Sequence, residues 1–227
     1  MSHFWITELF GYPVHFNTLI MAWAAMAVIL FVAFSITMDL KVIPARGQVL
    51  GEGIYDLCRS VTMSTAGPRG DGYLFYIGSI FLFILVANLM GQLPLKLISL
   101  PHGELIAATG DFSVPAALAV MTVLTYFVVG ISAKGMGYFK HYLSPHPLFL
   151  PLNILEDFTR PGSLTLRLYF NILVGEILTG IAYSFAPVGP PVFVSLMEIF
   201  VACVQAYIFT ILSAVYIGLL SEDHDHH

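Results

Sequence analysis

Arg167, Asn171, Glu176, Glu198 and Gln205 lie inside long apolar runs. A charged side chain at mid-membrane depth costs at least about 2.5–3.5 kcal/mol on insertion scales, so it marks a functional candidate by default. Arg167 lies about 27 Å of helix before Phe185, too deep to snorkel to that end, and about 10 Å beyond Arg160, which can snorkel to the other. A guanidinium does not give up its proton in practice, so Arg167 cannot relay protons. It can act as a fixed positive barrier, or attract a carboxylate presented by a moving partner. The plainer alternative is a structural arginine paired with a carboxylate on a neighbouring helix.

Spacing sharpens this chemistry. At about 100° per residue, Arg160, Ser163, Arg167 and Asn171 share one helical face. Glu176, nine residues on from Arg167, points to the opposite face. Glu198 and Gln205 are seven apart and share a face of the next apolar run. The turn Ala186-Pro187-Val188-Gly189-Pro190-Pro191 folds these runs into a hairpin. Folding there brings Glu176 and Glu198 to similar depth near one surface, with Arg167 and Gln205 level with each other deeper in. Two carboxylates at one depth cannot both stay ionised in a dry site and titrate as a coupled pair. That suits groups that pick up and release protons from a water-filled cleft. The sequence offers no Lys or Arg at that level to make the pair static, and no His to complete a metal site. No metal or other cofactor is expected.

The elements that must position these residues follow from composition. Of 227 residues, 58% are hydrophobic and only 10% charged, against about 25% charged in soluble domains. This excludes a soluble globular enzyme and a disordered chain. Nine Lys+Arg, scattered among 14 Asp+Glu, exclude a nucleic-acid partner, which needs clustered cations. The class is a polytopic membrane protein whose apolar surface faces the lipid bilayer or other helices. No cleaved targeting segment is visible at Met1 to Phe10, and the tail Glu222 to His227 reads as solvated. Cys58 and Cys203 are expected to be buried thiols. Spanning helices are expected over residues 17–38, 73–93 (ended by Pro94) and 112–133 (with Asp111 as N-cap), followed by a long tilted hairpin over 152–220. From 47 to 66, Leu50, Ile54, Leu57, Cys58 and Val61 fall on one helical face and Glu52, Asp56 and Arg59 on the other, which predicts an interfacial amphipathic helix. The fold class is thus an all-α membrane protein with five transmembrane crossings plus that helix, in a single domain. Lys41, Arg46, Arg59 and Arg69 lie between the first two spans, and Lys134 and Lys140 between the third span and the hairpin. By the positive-inside rule the N-terminus and the hairpin tip are outside and the C-terminus is cytoplasmic.

Several segments resemble subunit a of F-type ATP synthases. Arg167-Leu168-Tyr169-Phe170-Asn171, followed by Gly175-Glu176, is similar to that family's R-L-F-G-N…G-E segment. Val204-Gln205-Ala206-Tyr207-Ile208-Phe209 resembles I-Q-A-F-I-F, and Asn153 to Pro161 resembles N-I-L-E-D-F-T-K-P of the chloroplast and cyanobacterial branch. Val86-Ala87-Asn88-Leu89-Met90-Gly91 with Leu93-Pro94, and Lys134-Gly135-Met136-Gly137-Tyr138-Phe139, match further motifs in order.

The resemblance implies a stator subunit beside a rotating c-subunit ring, with two offset proton half-channels and with peripheral-stalk b-type subunits among its partners. It implies that Arg167 faces the ring carboxylate, that Glu176 and Glu198 lie on the outer half-channel, that Gln205 supports Arg167, and that Asn171 is a further polar channel residue. Ser163, Glu156 and Asp157 become candidates for the cytoplasmic exit, and Asn88 and Asp111 for the outer entrance. It implies a bacterial plasma or thylakoid membrane. Phe170 departs from the family pattern, standing where a small glycine is usual. No GxxxxGK[ST] loop is present, so ATP chemistry is expected in partner subunits. A secondary proton-coupled transporter would also use intramembrane carboxylates, but no internal repeat is found. A structural scaffold would tolerate replacement of Arg167 and Glu176.

Overall fold

The apolar runs become helices because a chain in lipid must satisfy its backbone N–H and C=O groups internally. The computed structural model describes residues 6–9, 12–38, 40–42, 46–66, 71–92, 107–134, 150–186 and 188–221. Among these are six α-helices: α1 (Phe16–Thr37), α2 (Arg46–Ala66), α3 (Leu74–Gly91), α4 (Ser113–Lys134), α5 (Leu150–Phe185) and α6 (Gly189–Ser221). Five are long and apolar enough to cross a membrane, α2 being the exception. Six helices with five candidate spans agree with the expected fold class. Two features were not expected. A short antiparallel pair, β1 (Ile6–Leu9) and β2 (Tyr12–His15), pairs Ile6 with His15 and runs straight into α1, and a 3₁₀ turn covers Ala108–Gly110. The Pro94 stop, the cations Arg69, Lys96 and Lys140, Pro187 and the tail from Glu222 lie outside the described residues.

The central helix is α6, which packs against α2, α3, α4 and α5. Ala202, Ala206 and Ala214 on α6 and Ala119 on α4 are fully buried. Small side chains there let helix backbones approach closely, which substitutes for the hydrophobic driving force that lipid does not supply. Leu164 and Leu168 of α5, Phe81 and Ile84 of α3 and Phe209 of α6 fill the main core. Val61 of α2, Ile77 of α3, Tyr126 and Val129 of α4 and Ala214 of α6 form a second cluster. α1 packs on α3 through Met21 and Ala25, while Trp23, Leu30, Phe31 and Phe34 face outward. Several hydroxyls within the helices are satisfied locally: Ser79, Thr122, Thr125 and Thr210 each donate to the carbonyl four residues back.

One expectation about burial is corrected, that Cys203 is a buried thiol. On α2, Cys58 and Val61 are buried with Thr62 and Gln48, while Leu50 and Leu57 are exposed. The helix docks against α3 and α6 along a stripe narrower than its apolar face. Cys58 is a buried thiol, but Cys203 is exposed on α6 in line with Phe200 and Tyr207. Apolar sequence surroundings mean burial in a soluble core; in a membrane helix they equally mark the lipid-facing side.

α5 and α6 have 36 and 33 residues. At 1.5 Å per residue they are each about 50 Å long, against a hydrocarbon core of about 30 Å. Such lengths are accommodated by tilt. α5 runs unbroken through Pro161. Pro190 and Pro191 sit in the first turn of α6, where a missing N–H breaks no intrahelical bond.

At the end of the bundle where α1, α4 and α6 begin, polar groups form a cap. The hydroxyl of Thr109 donates to Asn88 Oδ1 at 2.8 Å, and both residues are fully buried. A Cβ on Gly91 would lie 2.6 Å from that of Ala107, so only glycine lets the 3₁₀ segment seat on α3. Asp111 joins three elements: its Oδ2 pairs with His15 Nδ1 of β2 and accepts from Thr18 Oγ1 of α1 at 3.1 Å, and its Oδ1 accepts the Ser113 backbone N–H at the start of α4 at 3.0 Å. Burial opposes ionisation of Asp111, but the Ser113 N–H, His15 and the Ser113 and Thr18 hydroxyls together hold its carboxyl below the usual range.

Candidate functional site

The α5–α6 hairpin carries an open groove of about 640 Å³ on its outward surface. On α5, Arg167, Phe170, Asn171, Val174 and Leu178 recur at helical spacing and form one wall. Leu164, Leu168 and Ile172, on the other side of the same helix, are buried in the bundle. The burial of that leucine–isoleucine stripe fixes the rotation of α5 and turns Arg167 outward. On α6, Val194, Met197, Glu198, Val201 and Gln205 form the facing wall. The lining is apolar apart from Arg167, Asn171, Glu198 and Gln205.

Glu198 is where three helices meet. Thr179 Oγ1 of α5 donates to Glu198 Oε1 at 2.9 Å. The side-chain amide of Gln92, at the C-terminal end of α3, is within hydrogen-bonding reach of the same carboxylate. Gly175 provides the space: a Cβ there would lie 2.8 Å from Oε1, 3.0 Å from Cδ and 3.3 Å from Cγ of Glu198. Glu176 is exposed and outside the groove lining, yet near enough for its charge to act on Glu198. The two carboxylates therefore share a level, as the folded hairpin requires.

Arg167 is exposed on the groove wall and makes no ion pair among the described residues. Gln205 is buried in the opposite wall, and its Nε2 has no hydrogen-bond partner. Both residues line one groove, but no hydrogen bond joins them, so direct support of Arg167 by Gln205 is not seen. Phe170 projects its ring into the groove beside Arg167. Its neighbour Tyr169 packs against it and, edge-on, against Phe112 at 5.7 Å.

The remaining candidates divide. Ser163 is exposed on α5 one turn before Arg167, on the same stripe but outside the groove lining. The side chains of Glu156 and Asp157 lie outside the described residues. Asn88 and Asp111 do not line the groove; they are the buried centres of the cap. Sequence reading did not single out Thr179 or Gln92. Thr179 is a hydroxyl twelve residues beyond Arg167 in an apolar run, and Gln92 is a helix-end amide. Neither type is unusual until its partner is known.

The model of the ATP synthase A chain family matches residues 19–218. The chain belongs to this family. It is accordingly a proton-translocating stator component of the F-type ATP synthase, spans the membrane several times, and is not the part of the complex that handles ATP. The match runs from within α1 almost to the end of α6, so it takes in the groove and the cap residues other than His15 and Thr18.

Proposed function

We propose that the groove between α5 and α6 is the part of the chain that meets a ring of c subunits, and that protons pass to and from a ring carboxylate beside Arg167. The observation that carries this reading is the exposed Arg167 without an ion pair among the described residues, on a helix otherwise suited to lipid. A guanidinium in that position needs a counter-charge, and a carboxylate brought by a partner helix supplies it. As a guanidinium, Arg167 draws the ring carboxylate into its ionised form and blocks direct leakage.

Glu198, with Glu176 beside it, passes protons between the outer aqueous side and the groove. Asn171 and Gln205 contribute neutral hydrogen-bonding groups along the path. Ser163, Glu156 and Asp157 belong to the cytoplasmic exit, on the α5 segment before Arg167. Asn88 and Asp111 frame the outer entrance as parts of the cap and do not carry protons themselves. The exposed Lys41 between α1 and α2, with the other cations of that connection, supports a cytoplasmic location for that end of the bundle. The N-terminus and the hairpin tip are then outside, in a bacterial plasma or thylakoid membrane. The peripheral-stalk b-type subunits hold the assembly in place as the ring turns.

The test is ATP-driven proton pumping in inverted membrane vesicles by complexes carrying Arg167→Ala. Complex assembly and ATP hydrolysis are measured in the same preparation. Pumping lost from an assembled, ATP-hydrolysing complex supports the reading; pumping near the wild-type rate overturns it.

A further inference from the structure

We propose that Thr179 is a positioning residue for proton transfer at Glu198, holding the carboxylate against the Gly175 backbone in both of its protonation states. This rests on the assignment of Glu198 to the proton path. Ser79, Thr122, Thr125 and Thr210 bond within their own helix, while Thr179 reaches across to α6, as Thr18 of α1 reaches across to Asp111. The opening it reaches through exists because Gly175, one turn earlier, has no Cβ.

The chemistry of the partners matters more than their number. A proton carrier must be stable both as carboxylate and as carboxylic acid. When Glu198 takes a proton from water in the groove, the new O–H becomes a donor; when it returns the proton, both oxygens are acceptors again. A threonine hydroxyl donates to the first form and accepts from the second by rotating, while keeping its own proton. The Gln92 carboxamide has both capacities as well. A cation or a backbone N–H can only donate, so it favours the ionised form and cannot accept from the new O–H. The charged groups near Glu198 are Glu176 of α5, whose charge acts on it, and Arg167 of α5 on the same groove. Among the described residues, the end of α3 contributes the neutral Gln92.

The experiment uses the intact complex in inverted vesicles. ATP synthesis is driven by an imposed gradient of fixed size while the lumenal pH, which faces the outer end, is varied. Thr179→Val removes the hydroxyl at nearly constant volume. It is expected to lower the maximal rate several-fold. It should also move the pH profile by about half a unit to one unit toward higher pH, because the ionised carboxylate loses a donor. Thr179→Ser should restore the wild-type profile. Thr179→Ala, which adds no volume, is read in the same way if the valine variant does not assemble. An unshifted profile in the variants lacking the hydroxyl, with Glu198→Gln still slowing synthesis, overturns the role of Thr179 and leaves the proton path standing. Failure of the serine variant to restore the profile overturns it too, by reducing Thr179 to a packing residue. Wild-type synthesis by Glu198→Gln overturns both this proposal and the assignment of Glu198.

Discussion

The cap and the groove are built from similar groups and treat them in opposite ways. In the cap, Asp111 is buried and held by His15, Thr18 and a backbone N–H, and Asn88 is closed off by Thr109. In the groove, Arg167 stands exposed on the wall, Gln205 keeps an unpartnered Nε2, and Glu198 is held by a hydroxyl and an amide. A backbone N–H can only donate, so it favours the ionised form of Asp111. Hydroxyls and amides reverse their role, so they leave Glu198 free to titrate. The difference teaches that the number of bonds to a carboxylate does not tell whether it is a fastener or a carrier; the reversibility of its partners does.

The largest contrast to be tested lies between Arg167 and Asp111. Arg167→Ala should reduce proton pumping to background without preventing assembly. Asp111→Ala should do the reverse: it strands the Thr18 hydroxyl and the Ser113 N–H, costing about 1–3 kcal/mol. This should appear as a lower melting temperature of the detergent-solubilised complex, while complexes that survive pump at near wild-type rate. Loss of pumping from fully assembled Asp111→Ala complexes would break the distinction between cap and groove.

Glycine substitutions probe the same contrast sterically. Gly91→Ala drives a Cβ to 2.6 Å from Ala107 in the cap and should cost about 1–3 kcal/mol of stability, read by the same melting curves. Acidification provides a third test. The depressed pKa of Asp111 contributes stability that is fully present above the unfolded carboxylate value of about 3.9 and is lost as pH falls through the lower folded value. Melting temperatures of the wild type should therefore fall more steeply below about pH 4 than those of Asp111→Asn. Thr109→Val is a smaller perturbation, about 1 kcal/mol, and should leave the pH profile of ATP synthesis unmoved. The smallest effect is expected at Gly53 of α2, where a Cβ meets nothing within 4 Å. Gly53→Ala should be neutral or raise stability by up to about 1 kcal/mol through helix propensity.

Much of the fold is legible without coordinates, because a membrane imposes a length and a polarity on each crossing. The five long apolar runs and the amphipathic α2 follow from that, and so does the exceptional status of Arg167, since a charge within such a run is conspicuous. Helical periodicity put Arg167 and Asn171 on one stripe, and hairpin folding put Glu198 level with Glu176. The misreading concerns a face, not an element. Cys203 reads as buried from its apolar surroundings, but in lipid an apolar residue is equally at home outside, so hydrophobicity alone does not say which way a helix is turned. That was decided by tertiary packing, through small residues such as Ala206 and the Leu164–Leu168–Ile172 stripe. Packing alone also brought Thr179, Gln92 and Gly175 to Glu198 and tied His15 to Asp111 across 96 positions. Sequence by itself determined which segments cross the membrane and which charge is out of place there. The neighbours of each polar group were left to the tertiary structure, because hydrogen bonds between helices depend on rotation and depth, which no periodicity within a single helix can specify.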